Sequence, residues 1–254
     1  MTKRHLYWAI FTLLVAFAAC RTDSGKRSIA NYYFPYDPNA EGVVYEYTSA
    51  LDELDPPFYW YTRPLKTDSA DFLVRAYYDH QFQPYQLLRE ELVSNGVLLA
   101  DYRLYDWDST GQNVTELPVQ IEGNNLFPFE LSDESGVLFF KISFLTEDSI
   151  LTTLIRNRQY LGDTTWTYKG KTYDCVRFYV RELVDIETEG HAEHEFDGEE
   201  IYADGLGLVY FEKNISDQFR TAYALADTFS MQELERRFSE AQMNGTLKTI
   251  IPQE

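Results

Sequence analysis

The sequence predicts a mainly β protein: a single antiparallel, strongly curved sheet accompanied by one C-terminal helix. Three observations carry this expectation. Apolar residues recur at every second position through most of the chain. Turn dipeptides separate these runs at hairpin distances. Aromatic residues are abundant, with 20 Tyr, 17 Phe and 4 Trp, and such side chains favour strands and bury large areas. Strands do not alternate with helices, which argues against an α/β fold. An antiparallel sheet of this extent must curl, close or be covered to bury its apolar face.

Each element follows from local pattern. In Phe72-Leu73-Val74-Arg75-Ala76-Tyr77-Tyr78 the even positions are apolar, and Asp71 and Arg75 are expected on the other face. Residues 85–93 and 97–107 form two strands joined at Asn95-Gly96. The first of these also fits a helical face through Tyr85, Leu88 and Leu92, but the partner run across Asn95-Gly96 favours strand. From Val137 to Leu145, the residues Leu138, Phe140, Ile142 and Phe144 share one face, with Lys141 and Ser143 opposite. Between Tyr173 and Glu187, Val176, Phe178, Val180, Val184 and Ile186 point one way and Arg177, Arg181, Asp185 and Glu187 the other. That run exceeds an ordinary strand and implies a bend or bulge within it. Thr110-Gly111, Lys169-Gly170 and Asp204-Gly205 supply further turns. At the C-terminus Ser230-Met231-Gln232-Glu233 fits a capping box, and Met231, Leu234 and Phe238 lie on one side of a helix over about 231–242.

The N-terminus specifies a location. Lys3, Arg4 and His5 precede an apolar run over residues 6–19, too short to span a bilayer, and the polar stretch from Arg21 ends it. With Ala18-Ala19-Cys20 at the exit, the segment resembles the lipobox of bacterial lipoproteins, although Phe17 replaces the usual Leu. The resemblance implies removal of residues 1–19 and lipidation of Cys20. Asp after that cysteine tends to favour inner-membrane retention in such proteins; Arg21 here implies the outer membrane, with the domain facing either the periplasm or the outside. Residues 20–41 read as a lipidated tether containing Pro35 and Pro38, whose Tyr32, Tyr33, Phe34 and Tyr36 dock on the domain edge. The β domain then covers residues 42–245, and 246–254 form a tail.

Charge and cysteine content narrow the partners. The net charge of −19 repels phosphate backbones, which excludes nucleic acid as a partner, and it offers no basic patch for anionic lipids. Membrane attachment therefore rests on the acyl chains. Cys175 is the one cysteine besides Cys20, so no disulfide within the domain is available.

The stretch from Glu199 to Tyr210, with Tyr202-Ala203-Asp204-Gly205-Leu206-Gly207-Leu208-Val209-Tyr210, resembles a strand–turn–strand pattern of LolA-like envelope proteins. The resemblance spans about a dozen residues and implies an open half-barrel whose concave side holds a lipid or a partner. It transfers no binding residue.

Candidate chemistry is sparse. No Gly-x-Ser-x-Gly, phosphate-binding loop or His-Glu-x-x-His occurs, so the expectation is a non-enzymatic protein without a cofactor. His191 and His194 lie in an acidic, Gly-bounded loop and are weak metal ligands; a metal-dependent hydrolase built on them is one alternative. A second alternative is glycan binding through the block Phe58-Tyr59-Trp60-Tyr61. The leading expectation is an apolar ligand or an envelope protein held in an aromatic groove. Tyr45, Tyr47, Trp60, Phe72, Phe140 and Phe178 are its candidate binding residues, with Val74, Phe144 and Val180 on the same apolar face.

Overall fold

The computed structural model describes residues 26–108, 113–131, 136–146 and 148–245. Cys20, the segment before it, the Thr110-Gly111 turn and the 246–254 tail lie outside the described residues. The strands are β1 (Arg27–Ser28), β2 (Val43–Ser49), β3 (Phe58–Lys66), β4 (Asp71–Tyr78), β5 (Pro84–Val93), β6 (Gly96–Trp107), β7 (Val114–Leu117), β8 (Val119–Pro128), β9 (Glu130–Leu131), β10 (Leu138–Leu145), β11 (Leu151–Tyr168), β12 (Lys171–Glu187), β13 (His191–Ala203), β14 (Gly207–Ser216) and β15 (Phe219–Phe229). One helix, α1 (Met231–Met243), follows them.

Twelve of these strands pair antiparallel into a closed barrel, in the order β2-β3-β4-β5-β6-β8-β10-β11-β12-β13-β14-β15 and back to β2. The open half-barrel expected from the resemblance is therefore incorrect. Closure comes from the β5–β6 hairpin together with the pairing of Gly96, Val97 and Leu98 on Pro128, Phe127 and Asn125. It pairs the two outer strand edges that an open sheet of these strands would leave exposed. Short β7 extends the wall beside the last residues of β6.

Alternating strand directions gather the connections at two ends. Residues 94–95, 129–131, 136–137, 169–170 and 204–206 mark one end, called the floor; residues 79–83, 148–150, 188–190 and 217–218 mark the other, called the mouth. The N-terminal segment closes the floor. β1 pairs with β9, the Ile29 N–H donates to the Phe129 carbonyl at 2.9 Å, and the Gly205 N–H donates to the Asn31 carbonyl at 2.9 Å. Ile29, Tyr33 and Phe34 are buried in the main core. These rings do not rest on the domain edge as expected; they fill the end of the barrel. Gly207, at φ +90°, makes room for them, because a Cβ there would stand 2.6 Å from the Phe34 ring.

The helix packs outside the barrel. Ser230 caps it, its Oγ accepting from the Glu233 N–H at 3.3 Å. Leu234 is buried with Val44 and Tyr59, flanked by Phe82, Phe229 and Met231. Arg237 pins it further through Glu46 at 3.0 Å and Asp227 at 3.4 Å. No described helix is long and apolar enough to cross a membrane.

Two local expectations are corrected. The long strand β12 runs without a bulge; its neighbour β11 carries the extra residue, Leu161, between Tyr160 and Gly162. Gly162 has φ +141°, a conformation L side chains rarely adopt, so the irregularity falls where glycine permits it. In β4 the faces are reversed. Leu73 and Arg75 are buried, Leu73 stands opposite Glu90, and Phe72 and Val74 face outward opposite Glu91 and Arg89. The interior of this barrel is partly polar, so a buried charge with a partner displaces the simple apolar-inside rule.

Candidate functional site

Inward residues of the wall enclose a cavity of about 610 Å³ above the plug, directed toward the mouth. The strand period of two selects them. Arg75 and Tyr77 come from β4, Gln86, Leu88 and Glu90 from β5, Leu154, Arg156 and Arg158 from β11, Val180 and Glu182 from β12, Glu200 and Tyr202 from β13, and Phe211 and Lys213 from β14.

Three ionic groups cross this interior at successive depths. Nearest the plug, Arg75 lies 3.2 Å from Glu90, which also accepts the Tyr33 hydroxyl at 2.8 Å. The Arg75 guanidinium is sandwiched between Phe34, 4.0 Å from its ring centroid, and Trp60, 4.5 Å from its centroid. In the opposite wall, Arg158 grips Glu200 with two hydrogen bonds of 2.6 and 3.1 Å, and the Tyr202 hydroxyl donates to the same carboxylate at 2.9 Å. Toward the mouth, Glu182 accepts from Arg156 Nε at 2.8 Å and also pairs with Lys213.

Burial opposes ionisation of Glu182, but Arg156 and Lys213 outweigh it and hold its carboxyl below the usual range. Burial likewise opposes ionisation of Glu200, and Arg158 reverses the balance. Burial and the nearby Glu90 push the Tyr33 hydroxyl well above its ordinary value, so it remains a donor. These shifts fix charges and donors rather than poising a proton for transfer at neutral pH. Burial raises the Cys175 thiol to about 11, which keeps it protonated and poorly nucleophilic.

A contiguous aromatic wall completes the cavity near the mouth. Phe58 lies 4.9 Å from Tyr223 and 5.3 Å from Tyr77 between ring centroids, and Phe211 lies 5.6 Å from Tyr223. The site thus sets stacked rings beside two cations that are about one-third exposed: Arg156 is 31% and Lys213 33% exposed, against 9% for Arg158.

The sequence-predicted residues distribute unevenly around this cavity. Trp60 and Phe140 line it. Tyr45 is buried beside the plug, its ring 5.1 Å from Phe34, whereas Tyr47 is buried against the aromatic wall, stacked on Phe58 at 5.3 Å with its hydroxyl donating to the Leu208 carbonyl at 2.8 Å. Phe178 packs against Phe127 and Tyr202 and borders a smaller hollow of about 330 Å³ at the floor. Phe72 faces outward, its ring 5.3 Å from the Arg89 guanidinium. Trp60 is no flat external platform for a sugar, since Arg75 covers one of its faces.

His191 stands 3.0 Å from Asp185 and 3.8 Å from Glu187, all three on the hairpin joining β12 to β13 at the mouth. His194 is three residues further along the strand and so on its opposite face, beside Phe196. The two histidines do not converge on one point. Hydrogen bonding to Asp185 raises the exposed His191 imidazole.

The ionic residues were missed by pattern reading. Glu182 was the available signal: it sits between Val180 and Val184 on the face that alternation marks as inward. An acid in that position requires a partner inside the fold.

No protein-family model matches the chain, and no curated protein matches it. Among solved structures, a candidate lipoprotein from Parabacteroides distasonis superposes with a TM-score of 0.53 at 12% identity, covering 78% of this chain and 98% of that one. A candidate exported protein with a YmcC-like fold from Bacteroides fragilis gives a TM-score of 0.48 at 14% identity, covering 78% and 99%. The first likeness is one of fold; function must be argued from the site.

Proposed function

We propose that this chain is a non-enzymatic, lipid-anchored protein of the bacterial outer membrane that holds an amphiphilic small molecule in its barrel lumen. The observation that carries the reading is the cavity of about 610 Å³, walled by aromatic rings and by fixed charges. Its size falls within the range of small-molecule sites, and its mixture of apolar wall and few oriented polar groups is characteristic of them. The lipobox-like Ala18-Ala19-Cys20 supports an envelope location, as does the fold shared with a candidate lipoprotein.

Anchoring also sets an orientation. Cys20 precedes β1 by seven positions, a reach of roughly 25 Å when extended. The plugged floor then faces the anchoring bilayer and the mouth faces away from it. Ligand enters from the side opposite the anchoring leaflet.

The test is native mass spectrometry of the full-length protein extracted from its membrane, alongside Leu88→Trp, which fills the lumen. Retention of a small molecule by the wild type and its loss from the variant supports the reading. An unliganded protein that also takes up no added amphiphile overturns it. Cys20→Ser abolishes incorporation of labelled palmitate if the anchor is as proposed.

A further inference from the structure

We infer that the lumen selects an amphiphile with an acidic head, a carboxylate or phosphate, held by Arg156 and Lys213 while its apolar body lies on Phe58, Tyr77, Phe211 and Tyr223. The inference rests on the lumen-binding reading above and adds the charge of the occupant.

Charge counting inside the barrel carries it. The lumen presents four cations, Arg75, Arg156, Arg158 and Lys213, against three inward carboxylates, Glu90, Glu182 and Glu200. Arg75 is matched by Glu90 and Arg158 by Glu200, each pair largely buried. Glu182 is the hydrogen-bonded partner of both Arg156 and Lys213, while Arg156 reaches Glu200, already held by Arg158, only at 3.9 Å. Asp197 and Glu212 also border the cavity, but their carboxylates are occupied on the outer face. Asp197 accepts from Tyr179 and Asn214, and Glu212 from Tyr210. One positive charge is therefore left over, and it sits on the two cations that are about one-third exposed rather than on the buried pairs.

An uncharged occupant would strip water from this pair without replacing it, which is unfavourable. A cationic occupant would add repulsion. An acidic head completes the set, making charge-assisted hydrogen bonds to Arg156 and Lys213 beside Glu182. The aromatic wall begins one inward position away on the same strand, where Phe211 precedes Lys213. Head and body sites are thus contiguous on β14. The excess is local, since the chain as a whole is strongly acidic.

Titration calorimetry on the chain carrying Cys20→Ser, which keeps every described residue, tests the inference with dodecanoate, dodecyl phosphate and dodecan-1-ol below their aggregation limits. At least one of the two anions is expected to bind about tenfold tighter than the alcohol, the worth of one charge-assisted contact. Whichever anion binds more tightly names the head group. Lys213→Met is expected to erase the preference for anion over alcohol, and Glu182→Gln to strengthen it by freeing both cations. Arg156→Met repeats the first test should Lys213→Met fold poorly. Equal affinity for anions and alcohol, or a preference unchanged in both Met variants, overturns the charge inference and leaves the lumen reading standing. Binding of none of the three probes overturns both.

Discussion

The Tyr33 hydroxyl donates to Glu90 across 2.8 Å inside the barrel, although 57 positions separate the two residues. One bond thus ties the N-terminal segment to the interior of β5. Glu90 is in turn the partner of Arg75, whose guanidinium carries the Phe34 ring. Adjacent residues of the plug therefore bind one buried ion pair from two directions, by hydrogen bond and by ring face. The floor of the cavity is built from the segment that sequence reading assigns to a tether.

Loss of that bond should be measurable. Tyr33→Phe removes one donor from the buried, paired Glu90 carboxylate and is expected to cost about 1.5–3 kcal/mol in urea unfolding. Phe34→Ala removes a large buried ring and is expected to cost about 3–5 kcal/mol. Unchanged midpoints in both variants would show that the plug does not contribute to the folded barrel.

Arg158 and Glu200 make a second test, because the pair is buried on both sides. Arg158→Met alone strands Glu200 and is expected to cost about 3–5 kcal/mol. The double change Arg158→Met with Glu200→Leu is expected to recover most of that loss, since well-packed apolar residues often replace a buried pair without penalty. Additive losses in the double variant would refute the coupling.

Stability should fall at both extremes of pH. Burial opposes ionisation of Glu182 and Glu200, but their cationic partners lower both carboxyls. Their contribution is complete above the ordinary value of 4.5 and is lost as pH falls below it toward the folded values. Burial raises the Tyr45 and Tyr102 hydroxyls to about 12, so their contribution is complete below pH 10 and is lost as pH rises from 10 to 12. Melting followed by circular dichroism should show both limbs, and Glu200→Gln should flatten the acid one. A melting temperature constant from pH 7 to pH 3 would contradict the assignment.

Gly207 should tolerate no side chain. At φ +90°, with Phe34 2.6 Å from the position of an added Cβ, Gly207→Ala combines backbone strain of about 1–2 kcal/mol with displacement of the plug ring. Hydrogen exchange should then accelerate at Ile29 and Gly205, whose N–H groups fasten the plug to the floor. Protection at those amides equal to wild type would contradict the packing.

Much of the fold was legible locally. The hairpin turning at Asn95, the Lys169-Gly170 turn, the antiparallel character and the capped terminal helix all appear where expected, because turn chemistry and capping act over a few residues. The candidate site was legible only in part. Trp60 and Phe140 line the cavity, but Phe72 does not, since the face of β4 was assigned from apolarity alone. Arg75 looks like an outer residue in any local window. It is inside because Glu90, Phe34 and Trp60 arrive from three other segments to receive it.

By itself, then, the amino-acid sequence determined the strand content, most turns, the terminal helix and the expectation of a processed N-terminus, all properties encoded in short windows. Only the tertiary structure decided that the sheet closes, that Tyr33 and Phe34 plug one end, and that the lumen carries three ionic groups. Closure depends on pairing β6 with both β5 and β8, and a buried charge depends on a partner many residues distant. No periodicity within a single strand can specify either, because the stabilising contact lies in another part of the chain.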